Sequence, residues 1–117
     1  MSSNYINYLD SVIGNAKLLP ILDYINEHLA EEISIDQLSA QFYLSRYYLM
    51  HFFKEETGYT IGNYITEKRL LLAKNLVQNG SSITDACYQS GFKNYSTFSR
   101  AFKKAFHTVP KNASFID

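Results

Sequence analysis

Residues 91–106 read GFKNYSTFSRAFKKAF. From Lys93 to Lys111 five basic residues (Lys93, Arg100, Lys103, Lys104, Lys111) stand with no Asp or Glu among them. At helical spacing Ser96, Ser99, Arg100 and Lys103 fall on one stripe, flanked by Tyr95, Thr97 and Lys104. Phe98, Ala101, Phe102, Ala105 and Phe106 fall on the opposite stripe, which is core material. The polar stripe sets short hydrogen-bonding side chains ahead of cationic ones. A guanidinium at Arg100 matches the O6 and N7 acceptors of a guanine edge. Ammonium groups at Lys103 and Lys104 neutralise phosphates. A major groove admits one α-helix whose first turns reach base edges, and it demands this chemistry. A solvated basic face is the plainer alternative.

A second stripe of the same kind lies earlier in the chain. Tyr47, Met50, His51 and Lys54, flanked by Arg46, oppose Leu49, Phe52 and Phe53. An aromatic and a Met on the polar side of a helix suggest a contact surface. Packed on thymine methyls and sugar edges, they supply few bidentate hydrogen bonds, so this helix should read sequence less strictly than the second. The plainer alternative is that Tyr47 packs on the N-terminal helix.

The elements that must position these stripes are helices, because apolar residues recur at helical spacing almost throughout. Residues 1–16 form an appendage or linker remnant, with a short helix over 5–13 carrying Tyr5, Ile6, Leu9, Val12 and Ile13. Pro20 fits the first turn of a helix running to about Leu29, burying Ile21, Leu22, Ile25 and Leu29. Ser34 to Gln37 is a capping-box pattern that opens a short helix to Phe42. Ser45 caps the next helix, which ends at Gly58. Thr60 and Gly80 bound a long helix burying Ile61, Tyr64, Ile65, Leu72, Ala73, Leu76 and Val77. Ser82 opens another short helix that closes near Gly91. Asn94 caps the last, which reaches Phe106, and Pro110 discourages continuation.

The order is helix, short pair, long helix, short pair, and the two pairs repeat. Leu38, Gln41 and Leu44 align with Ala86, Gln89 and Phe92 at a shift of 48. Ser45, Leu49, Phe53 and Lys54 align with Asn94, Phe98, Phe102 and Lys103 at a shift of 49. Two short helices joined by a tight turn, used twice, are two helix-turn-helix units. The expected fold is therefore all-α. A domain over 17–112 holds one unit at about 34–58, a linker helix at about 60–79 and a second unit at about 82–106; residues 113–117 form a tail. The linker would span about 27–30 Å, against about 34 Å between successive major-groove faces. One monomer would then present two helices to a bipartite site.

The whole chain of 117 residues is neutral, with 11 basic and 11 acidic side chains. Residues 1–40 nevertheless carry six acids and one base, net −5, and residues 41–117 carry net +5. This asymmetry suits one face for a polyanion and another for solvent or a partner. Cys87 is the only cysteine, which rules out an intrachain disulfide framework and fits a reducing cytoplasm. No apolar run approaches the roughly 20 residues of a membrane span, and the N-terminus lacks the pattern of a secretion signal. No Cys/His spacing suggests zinc, and no nucleophile–base pair is evident, so neither a metal, a cofactor nor an enzyme is expected. A protein-interaction module that docks on polymerase or a regulatory partner without reading DNA is the main alternative.

These stretches resemble the DNA-binding domain of the AraC/XylS family of bacterial transcription regulators. The resemblance covers about residues 18–110. It is carried by the Ser45-x-x-Tyr48-Leu49-x-x-x-Phe53-Lys54 run, by Arg69, Ala73 and Leu76, and by Ile83, Ala86, Gly91, Phe92, Phe98, Arg100, Phe102 and Lys103. It implies a seven-helix, two-lobed bundle. Tyr47, Met50 and His51, with Tyr95, Ser96, Thr97, Ser99 and Arg100, match base-contacting positions, and Ser45, Lys54 and Lys103 match phosphate contacts. It also implies double-stranded DNA and RNA polymerase as partners, activation of transcription, and a separate N-terminal effector or dimerisation domain. His107 departs from the family's usual Gly, Ala113-Ser114 stand where a Tyr-Arg pair is common, and Ser39 and Cys87 stand where Ala is common.

Overall fold

The structure is a computed structural model that describes residues 16–112. The expected helix over 5–13 and the tail over 113–117 lie outside them. Among the described residues the chain is all-helical: α1 (16–27), α2 (Ile35–Phe42), α3 (Arg46–Thr57), α4 (Ile61–Gln78), α5 (Ile83–Gln89) and α6 (Tyr95–Phe106), then a 3-10 turn at Pro110–Asn112. The resemblance implies seven helices; six α-helices and this turn are described. The chain divides into two compact units, one of residues up to Glu27 with Ile33–Ile61, the other of His28–Glu32 with Gly62 onwards.

The first unit buries Leu18, Ile21 and Ile25 of α1, Leu38 of α2, and Leu49 and Phe53 of α3. Tyr24 meets Phe42 edge-on at 5.9 Å. Helix starts follow the local chemistry. Ser34 Oγ accepts from Gln37 N at 3.1 Å, and Gln37 Oε1 accepts from Ser34 N at 2.8 Å, which completes the capping box. Ser45 Oγ accepts from Tyr48 N at 3.1 Å and starts α3. Between them the chain turns through Tyr43 at φ 55°, in the left-handed region. Gly58, at φ 80°, ends α3 with its N–H on Lys54 O at 2.8 Å.

Two expectations for α1 change. It is already helical at residue 16, so Pro20 lies beyond the first turn expected for it. It also ends at residue 27 rather than near Leu29, because the following segment is used elsewhere. Residues His28–Glu32 belong to the second unit, where Arg69 Nε donates to Leu29 O at 2.9 Å and an Arg69 terminal nitrogen donates to Glu31 O at 2.8 Å. Those carbonyls are satisfied by a side chain instead of by further helix.

The second unit is built on Leu70, Ala73 and Val77 of α4, Ala86 and Cys87 of α5, Phe92 of the turn, and Phe98 and Phe102 of α6. Phe98 touches Phe92 and Phe102 at centroid separations of 5.2 and 5.7 Å, and Phe106 continues the row at 4.7 Å from Phe102. Ser82 Oγ accepts from Asp85 N at 3.0 Å, and Asn94 Oδ1 accepts from Thr97 N at 2.8 Å. Leu70, absent from the expected inner face of α4, is buried, and Ala105, expected in the α6 core stripe, is exposed. Ala105 lies at the edge of the Phe stripe. The α6 helix closes at His107, whose φ of 61° is left-handed and whose N–H reaches Lys103 O at 2.8 Å.

Candidate nucleic-acid interface

The core rows set which way α3 and α6 face. With Leu49 and Phe53 buried, the other side of α3 offers Arg46, Tyr47, Met50, His51 and Lys54 to solvent. Tyr47 is 74% exposed and Met50 47%. Tyr47 and His51, one turn apart, lie ring on ring at 4.0 Å between centroids and 37° between planes. This pairing makes a small aromatic plate that stands clear of the unit. Against α1 it is Tyr48, not the exposed Tyr47, that makes contact: its hydroxyl accepts from Lys17 Nζ at 3.2 Å, and its ring stacks on Phe52 at 5.6 Å.

Ser45 is exposed, and its oxygen accepts the capping N–H, which leaves the hydroxyl proton to donate outward. Arg46, the first residue of α3, forms an ion pair with Asp36 on α2 at 3.2 Å, both side chains largely exposed. Asp36 is the residue that sequence reasoning missed here. A ten-residue separation across a turn carries no periodic signal, and only the packing of α2 on α3 brings the two together.

On α6, Ser96, Thr97, Arg100, Lys103 and Lys104 are exposed, while Ser99 and Tyr95 are half-buried. Tyr95 meets Phe98 edge-on at 5.7 Å and rims an open depression with Ile83, Thr84 and Lys111. Of the five expected base-contacting positions here, three therefore stand free in solvent and two sit at the margin. Among the described residues Arg100, Lys103 and Lys104 have no carboxylate within ion-pair distance, whereas Arg46 pairs with Asp36, and Lys93 with Glu32 at 3.3 Å. The α6 face thus combines hydroxyls at a helix N-terminus with cations that have no carboxylate partner among the described residues. Anions and the acceptor-rich edges of bases are its chemical complement.

Other chemistries find little support among the described residues. Cys87 is buried, and burial pushes its thiol up in pKa, opposite to what a reactive thiolate needs. Its Sγ faces Asn94 O at 3.9 Å. No group of three His, Cys, Asp or Glu is placed to hold a metal ion. No helix is long and apolar enough to cross a membrane.

Residues 38–113 match the helix-turn-helix domain family. The transcriptional activator RhaS of Klebsiella pneumoniae is 32% identical over 100 residues, 85% of this chain but 36% of that protein. This chain thus spans about a third of the length of that relative. The C-terminal domain of the two-component response regulator yesN from Fusobacterium nucleatum is 30% identical with a TM-score of 0.77, covering 88% of this chain and 99% of that one. A transcriptional regulator from Chromobacterium violaceum with an AraC-type DNA-binding domain is 26% identical with a TM-score of 0.75, covering 83% of this chain and 88% of that one. With two capped helix-turn-helix units, an α4 between them and an outward polar face on the second helix of each, the chain belongs to the AraC/XylS family of helix-turn-helix transcription regulators.

Proposed function

We propose that this chain reads a bipartite promoter site with α3 and α6 in successive major grooves, and that it acts as a transcriptional activator. The observation that supports this most directly is the carboxylate-free face of α6, where Ser96, Thr97, Arg100, Lys103 and Lys104 oppose buried Phe98 and Phe102. Tyr95, Ser96, Thr97, Ser99 and Arg100 would meet bases from α6, and Tyr47, Met50 and His51 would meet them from α3. Ser45, Arg46, Lys54, Lys103 and Lys104 would meet phosphates.

In this role the protein works by binding in the cytoplasm, not by catalysis, with no membrane partner. RNA polymerase is the partner that an activator bound beside a promoter would touch, and the RhaS likeness supports the activating sign. A separate effector or dimerisation domain in the same chain is a further expectation of the family. Selection of duplexes from a random pool, followed by binding to the winners, tests the reading. Enriched paired motifs support it, and binding no tighter than to the pool would contradict it.

A further inference from the structure

We propose that Asp36 is a specificity-determining residue: by pairing with Arg46, it weakens the pull of that cation on the backbone of arbitrary duplexes and keeps the first helix-turn-helix unit from binding them indiscriminately. The inference rests on the reading of Arg46 as a phosphate contact.

Arg46 is the first residue of α3, beside the N-cap Ser45, where the backbone N–H groups already favour an anion. Its guanidinium is 3.2 Å from Asp36 Oδ1, and the two side chains are 64% and 74% exposed. An exposed pair of this kind is weak, so it does not secure the fold. Its electrostatic consequence is larger than its stability. A phosphate approaching the start of α3 meets a neutral pair, not a cation, or must displace a carboxylate that then stands within a Debye length of it. Either way one counterion fewer is released. The second unit differs at the matching places. The shifts of 48 and 49 set Thr84 opposite Asp36 and Tyr95 opposite Arg46. There the start of the recognition helix is uncharged, and the cations of α6 stand further along without carboxylate partners among the described residues.

The test is a double-mutant cycle on the intact chain: Asp36→Asn, Arg46→Gln and the pair of both. Binding to a random-sequence duplex is followed by anisotropy over a series of salt concentrations, with a thermal melt as control for folding. Asp36→Asn should bind this duplex several-fold more tightly at low salt and steepen the slope of log K against log salt by about 0.9. The gain should vanish when Arg46→Gln is added. An unchanged slope in Asp36→Asn, with a shallower slope in Arg46→Gln, would overturn the proposal while leaving Arg46 as a phosphate contact. No change in any variant would overturn both. A steeper slope that survives Arg46→Gln would mean that Asp36 acts as a general negative charge, and would also overturn the pairing.

Discussion

Arg69 fills the space that a side chain at position 91 would need. A Cβ built on Gly91 would lie 2.6 Å from Arg69 Nε and would collide with Leu29 O, and Gly91 has a φ of 108°. The same Arg69 holds the carbonyls of Leu29 and Glu31, so the glycine lets the turn before α6 press against this segment. Burial lowers the Arg69 pKa, yet guanidinium stays charged at any ordinary pH, and its bonds persist. Gly91→Ala combines backbone strain with overpacking and should destabilise the protein by roughly 2–4 kcal/mol. Chemical denaturation checks this; a loss below about 0.5 kcal/mol, the range of an ordinary surface change, would mean that the turn relaxes freely.

His107 shows the reverse case. It is exposed, caps α6 and sits at φ 61°, a conformation that a side chain disfavours. Glycine there relieves the strain, partly offset by its greater freedom when unfolded. His107→Gly should stabilise the chain by about 0.5–1 kcal/mol, seen as a raised melting temperature. A lower one would show that the imidazole makes a contact worth more than the strain.

Much of this fold is legible in the sequence because capping is local chemistry. Ser34, Ser45, Ser82 and Asn94 each accept an N–H three residues on, as their positions before apolar runs imply. The repeat is legible for the same reason, and the structure repeats it: Leu44 N reaches Ser39 O at 3.1 Å, and Phe92 N reaches Cys87 O at 3.2 Å, 48 residues apart in both partners. Less legible are features decided between elements. Helical periodicity cannot tell that Leu70 is buried and Ala105 is not, since both lie at stripe edges. Nor does it show that Arg69 holds the carbonyls of Leu29 and Glu31, or that Asp36 lies against Arg46. On the candidate surface the outward direction of Tyr47, Met50 and Arg100 follows from period alone, whereas the half-burial of Tyr95 depends on where Phe98 packs.

Cys87 should react slowly with thiol reagents in the native protein and quickly once unfolded, because it is buried in the core of the second unit. The sign of its pH effect follows from the raised folded pKa. Below the unfolded thiol's pKa both states hold the proton. Above it the unfolded state releases the proton first, so stability falls with rising pH until the folded pKa is passed. Rapid labelling under native conditions would show that the thiol is accessible.

Arg100 and Lys103 stand one turn-step apart on α6 and should fail in different ways. Arg100→Ala should weaken the selected site by about 1–3 kcal/mol and relax preference at one base pair. Lys103→Ala should weaken all duplexes alike and reduce the salt slope by about one. Binding to a set of single-base variants of the site, repeated over salt, separates the two. An equal loss on every sequence for Arg100→Ala would demote that residue to a backbone contact.

The most direct test of two-groove reading is anisotropy of the intact chain against duplexes selected from a random pool, compared with the pool itself. Two short motifs about one helical turn apart, bound about 10³-fold or more above the pool, are the expected result. Enrichment of a single motif, or binding no stronger than to the pool, would contradict the bipartite site.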